Sequence, residues 1–86
     1  MEENIIKWKK FNEMLEGHLC GIKKILDDRV YLYAPDISYD VEIVYDVNKD
    51  ILLFVCVSKQ KTLIQLEGDY LNECTLGQYL IEYCGK

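Results

Sequence analysis

The sequence predicts an α+β fold: an N-terminal helix, an antiparallel meander sheet of about four to five strands, and a short C-terminal helix. Three observations predict it. Residues 2–16 repeat apolar side chains at helical spacing. Residues 18–67 change to short runs rich in Val, Ile, Leu and Tyr, broken by "DDR", "APD", "DVNKD" and "KQK". Residues 75–84 return to helical spacing. The 86 residues make one domain, 1–86, and half of them are hydrophobic, which is enough to bury a core without disulfides or metals.

In the first helix Ile5, Trp8, Phe11 and Leu15 share a face with Met1, Glu2 and Glu3 sit at the positive end of the helix dipole, Glu3 and Lys7 have i,i+4 spacing, and Gly17 is placed to end it. Strands follow near 19–26, 30–34, 38–46, 51–58 and 61–67, and their short connections imply antiparallel neighbours. The Lys23-Lys24 pair marks the first of them as an edge. Thr75 and Gln78 have capping-box spacing, and Leu76, Tyr79, Leu80, Tyr83 and Cys84 form the face of the last helix before Gly85.

Two tight hairpins set the faces of the sheet. A turn at 47–50 puts Asp46 opposite Ile51, so Tyr45, Ile43 and Val41 share a side with Leu52, Phe54 and Cys56. The other side holds Asp46, Val44, Glu42 and Asp40 beside Ile51, Leu53, Val55 and Val57. A Lys59-Gln60 turn adds Thr62, Ile64 and Leu66 to that second side and Leu63 to the first. Both sides of the central strand are therefore apolar. One helix on each closes a three-layer monomer, whereas two helices on one side leave an apolar patch of the kind that marks interfaces.

Charge is concentrated. Residues 1–26 carry five lysines against four acids and residues 51–86 three against four, while residues 27–50 carry seven acids against Arg29 and Lys49, a net of −5 equal to that of the whole chain. Within that stretch "SYDVEIVYD", residues 38–46, alternates acids with apolar side chains.

Several function classes find no footing. The start "MEENIIKWKK" lacks an apolar core of signal-peptide length, and the longest apolar run, "ILLFVCV", has seven residues, so neither secretion nor a membrane span is expected and the predicted location is cytoplasmic. Cys20, Cys56, Cys74 and Cys84 are 36, 18 and 10 residues apart, which reads as free thiols in a reducing compartment, with Cys56 a buried hydrophobe. His18 and Cys20 make one irregular pair that Cys74 and Cys84 would have to complete, short of the two close pairs of a structural zinc site, so no metal or cofactor is expected. Two serines, one histidine and no phosphate-binding glycine loop leave no catalytic residues to nominate. Asp40 and Glu42, ~6.7 Å apart along a strand, lack the further ligands that acid/base or metal work needs. Acidic surroundings oppose a low thiol pKa, and a single arginine with negative net charge opposes direct nucleic-acid contact.

What stands out is a candidate partner-binding set: Asp36, Tyr39, Asp40, Glu42, Val44, Asp46 and Asp50. Acids at these spacings suit a basic groove built for phosphates, and Tyr31, Tyr33, Tyr39 and Tyr45 offer rigid amphipathic contact area. The plainer reading of the same acids is a solvated edge that resists strand-on-strand aggregation. In composition the chain resembles the small acidic inhibitors that phages and mobile elements make against host nucleases, including anti-CRISPR and anti-restriction proteins. That resemblance implies a non-enzymatic inhibitor or regulator docking on the basic, nucleic-acid-handling surface of a protein partner. The alternative is a homodimeric structural or assembly subunit using the same sheet face.

Overall fold

The computed structural model describes residues 2–18 and 20–85, with the side chains of Lys9 and of residue 11 onward in the first helix. Helix α1, Glu2–Gly17, precedes strands β1, Gly21–Leu26, β2, Arg29–Tyr33, β3, Val41–Asp46, β4, Ile51–Cys56, and β5, Lys61–Glu67. A 3-10 turn, Gly68–Tyr70, leads into α2, Glu73–Glu82. The strands form one antiparallel sheet in sequence order, β1-β2-β3-β4-β5, so the α+β meander read from the sequence is the fold. The positions expected of Met1 and of the Ile5, Trp8, Glu2, Glu3 and Lys7 side chains lie outside the described residues.

Both helices pack on one side of the sheet. Phe11 and Leu15 of α1 and Leu76 of α2 join Val30, Leu32, Ile43, Tyr45, Leu52, Phe54 and Leu66 in a single buried cluster. Phe11 stacks on Tyr45 with ring centroids 4.0 Å apart, and Phe54 meets Tyr79 and Tyr83 at 6.2 and 5.6 Å. The sheet residues of this cluster alternate along each strand, as period-2 geometry requires when one face is covered. β1 is an edge strand, and its Ile22, Ile25 and Leu26 are exposed.

The β3–β4 register is the expected one, with Asp46 opposite Ile51 and Ile43 opposite Phe54. The β4–β5 register is not. Its turn spans 57–60, pairing Cys56 with Lys61, and the ladder slips between Phe54 and Val55, so that Ile64 lies opposite Phe54 and Leu66 opposite Leu52. Ile64 and Leu66, expected beside Val44 and Asp46, therefore face the helices, and Gln65 takes the other side next to Thr62. The physical reason is a β-bulge at Leu63: one extra residue reverses the parity of the rest of the strand, and the reversal places a leucine rather than a glutamine in the core.

The last helix starts earlier than the capping-box spacing implied. Asn72 is the N-cap, its Oδ1 accepting the Thr75 N–H at 2.9 Å, so Thr75 sits inside the first turn rather than at its head. Asn satisfies an orphan helix N–H at least as well as Thr and lies where the chain leaves the 3-10 turn. The helix end is tied down by the 34–40 loop: Ser38 N–H donates to Tyr83 O (3.0 Å), Gly85 N–H to Asp36 O (2.8 Å), and Ile37 bridges Cys84. A Cβ on Gly85 would come within 2.9 Å of the Ser38 Cα, so only glycine permits this approach.

Neighbouring leucines separate the two faces energetically. Leu52→Ala, at a fully buried position, is expected to cost about 2–5 kcal/mol, and Leu53→Ala on the opposite face roughly half as much or less, read as urea-unfolding midpoints.

Candidate interaction surface

The side of the sheet away from the helices has no covering layer among the described residues. Three cross-strand rows build it. One runs Leu26, Arg29, Asp46, Ile51, Glu67; the next Lys24, Tyr31, Val44, Leu53, Gln65; the third brings Glu42 and Val55 together with Thr62. Their apolar members on β3 and β4, with Val57 beyond, form the floor of an open groove of about 660 Å³. Val57 is 48% exposed, and Ile51, Leu53 and Val55 are each partly exposed, which for a strand of a five-stranded sheet means that one layer is missing.

Long polar side chains wall the groove. Lys24 and Arg29 stand on the β1–β2 side, Lys49 at the turn end, and Gln60 and Gln65 on the β5 side. Lys23 Nζ lies 3.7 Å from Glu42 Oε1, and Lys24 Nζ sits 4.6 Å from the centre of the Tyr31 ring. Both lysines of the edge strand thus lean over the open face, where a bulge between Ile22 and Lys24 turns them.

The candidate binding residues divide. Glu42, Val44 and Asp46 come together on the open face. Asp40 extends the β3–β4 ladder, its carbonyl accepting the Val57 N–H at 2.8 Å, but its carboxylate belongs to the 57–60 turn. It accepts from Ser58 Oγ (2.6 Å), Ser58 N–H (3.0 Å) and Cys56 Sγ (3.1 Å). Hydrogen bonds from the Ser58 and Cys56 side chains hold its carboxyl below the usual carboxylate range. Asp50, in the 47–50 turn at a φ of 54°, accepts the Tyr45 hydroxyl, and burial followed by that acceptor pushes the Tyr45 phenol well up. Asp36 lies at the far end of the molecule, beside a groove of about 260 Å³ that His18, Ile81 and Cys84 also line. Tyr39 is fully exposed on the same loop.

Sequence reasoning missed the cations. Arg29, Lys23 and Lys24 face the same way as Glu42 and Asp46 because Arg29 pairs with Asp46 across β2 and β3. The seven-residue 34–40 connection left that register unspecified, and only pairs joined by short turns reveal themselves in sequence. Asp46 has a second task as well, its Oδ1 accepting the Lys49 N–H at 3.1 Å inside the turn.

The cysteine and histidine positions carry no assembled metal shell: among the described residues no three His, Cys, Asp or Glu side chains converge. His18 Nε2 donates to Glu73 O at 2.9 Å, and burial pushes the Cys20 thiol up. Among the described residues no helix is long and apolar enough to cross a membrane. The chain matches no family model, and the comparison with curated proteins and with solved structures found no match.

The lowered Asp40 carboxyl makes a signed prediction. A group held below its unfolded value contributes stability above that value and loses it as pH falls through the folded one. Wild type is therefore expected to lose stability below about pH 4, and Asp40→Asn to show a flatter acid limb and a lower midpoint at neutral pH, read as thermal midpoints across the acid range.

Proposed function

We propose that the chain is a non-enzymatic protein-binding module whose contact surface is the open sheet face, and that it inhibits or regulates a protein partner in the cytoplasm by covering part of that partner. The observation that supports this most is the partly exposed apolar strip of Ile51, Leu53, Val55 and Val57, with Val44 buried in its floor, left open because both helices lie on the other side. An apolar centre with a polar rim is the anatomy of a protein contact surface, in which burial at the centre supplies lifetime and the rim supplies selection.

Glu42 and Asp46 are the acids of the 27–50 segment that line this surface, so the partner groups opposite them are cationic. A surface built to hold nucleic-acid phosphates presents such groups at suitable spacing. With the composition of the chain, this favours the kind of inhibitor that phages and mobile elements direct at host nucleases, anti-CRISPR and anti-restriction proteins among them.

The test is affinity capture from a lysate of the source cell or its host, with Leu53→Lys and the pair Glu42→Lys/Asp46→Lys as controls. A basic, nucleic-acid-handling protein retained by wild type, lost with Leu53→Lys, weakened by the charge reversal and inhibited by the purified chain is the expected result. Equal capture by all three proteins would remove the open face from the mechanism.

A further inference from the structure

We propose that, when no partner holds it, the open face is closed by the same face of a second copy, giving a symmetric dimer. The inference rests on the reading of that face as the contact surface and names an occupant for it. What carries it is the order of charge signs across the strands.

The chain has a net charge of −5, so two copies repel on most approaches. The open groove is an exception: Lys24, Arg29 and Lys49 line it against Glu42 and Asp46, a local balance of +1. Its charges are of both signs and nearly balanced, so two copies meet there with less like-charge repulsion than the net charge of −5 imposes elsewhere, and it is also the apolar place.

Symmetry then decides which residues meet. Stacking two identical sheet faces requires a two-fold axis lying in the interface. An axis along the strands reverses strand order but keeps each cross-strand row. With the axis between β3 and β4, β3 of one copy lies over β4 of the other, and β2 over β5. In the row that contains Arg29 and Glu67, Arg29 then faces Glu67 of the second copy, and symmetry makes this pair twice. In the next row Val44 faces Leu53 of the second copy and Tyr31 faces Gln65, so aliphatic groups meet at the centre and polar ones at the flanks. Two sheets packed this way stand ~10 Å apart, the thickness that Val and Leu side chains fill from both sides. Of the acids nearest the centre Glu42 is paired with Lys23, whereas Asp46 keeps its charge, its carboxylate accepting the Lys49 N–H at the turn end of the strand, where the row meets solvent.

Sedimentation equilibrium across the micromolar range tests it, with folding of each variant checked by circular dichroism. Wild type is expected to be a dimer and Leu53→Lys a monomer. Arg29→Glu alone or Glu67→Arg alone should weaken dimerisation on the order of tenfold, because two facing pairs become repulsive, and the double variant Arg29→Glu/Glu67→Arg should recover it. A wild type that stays monomeric overturns the second copy as occupant yet leaves the contact-surface reading to the capture experiment. A dimer indifferent to Leu53→Lys forms through another surface and overturns the second copy as occupant of this face. A dimer lost with Leu53→Lys whose charge variants do not compensate overturns the Arg29–Glu67 register.

Discussion

The constraint on which this structure depends is that β4 is apolar on both sides while the chain has helix enough to cover one. Leu52, Phe54 and Cys56 alternate with Ile51, Leu53 and Val55, and no pairing register can turn all six inward. The helices settle the matter by aromatic contact: Phe11 lies flat on Tyr45, and Tyr79 and Tyr83 close around Phe54. Each contact draws its helix to the same face. The hydrophobic effect that closes the core therefore leaves a second apolar surface in water, and that surface is a consequence of the fold rather than an ornament on it.

The acids of residues 27–50 belong chiefly to the same architecture. Three hairpins each turn through one non-glycine residue in the left-handed region, Asp27, Asp50 and Gln60. Aspartate tolerates that conformation better than most side chains and can hydrogen-bond nearby groups while doing so. Asp28 accepts the Asn48 amide at 2.9 Å, Asp46 the Lys49 N–H, Asp50 the Tyr45 hydroxyl, and Asp40 two donors of Ser58 in the 57–60 turn and one of Cys56 before it. A run of carboxylates that looks in sequence like one electrostatic surface is thus divided among fasteners that hold successive turns closed. Glu42 and Asp46 remain part of the open face because β3 parity aims them there.

Legibility followed the length of the connections. The 46–51 hairpin was readable because a tight turn permits one pairing, and it put Ile43, Tyr45, Leu52 and Phe54 on one side and Val44 and Leu53 on the other, without saying which side the helices cover. β5 was misread from the middle onward because a bulge leaves no residue-type signature: Leu63 and Ile64 are both apolar, and nothing local says which is the extra one. The placement of α2 on the side of α1 was likewise invisible, since the face formed by Leu76, Tyr79 and Tyr83 would serve either side of a sheet that is apolar on both. The cations of β1 and β2 stayed hidden for a third reason, the long 34–40 loop that separates Arg29 in sequence from the Asp46 it lies beside.

Placing those cations changes what the open face can recognise. A uniformly acidic face would favour basic partners through long-range attraction and would keep copies of itself apart. A face with Lys24 and Arg29 on one flank, Glu42 and Asp46 near the middle and Glu67 on the far flank has little net field, so recognition depends on registering individual charges at close range. Screening at physiological salt attenuates fields beyond about 8 Å, which weakens steering while sparing pairs brought into contact. Affinity on such a surface comes from dehydrating the strip between the flanks, and the charges serve mainly to reject wrong alignments. A surface of this kind discriminates by the order of charges across the strands more than by their sum. That is a stricter requirement than basicity, and a copy turned about a two-fold axis meets it at the flanks through Arg29 and Glu67.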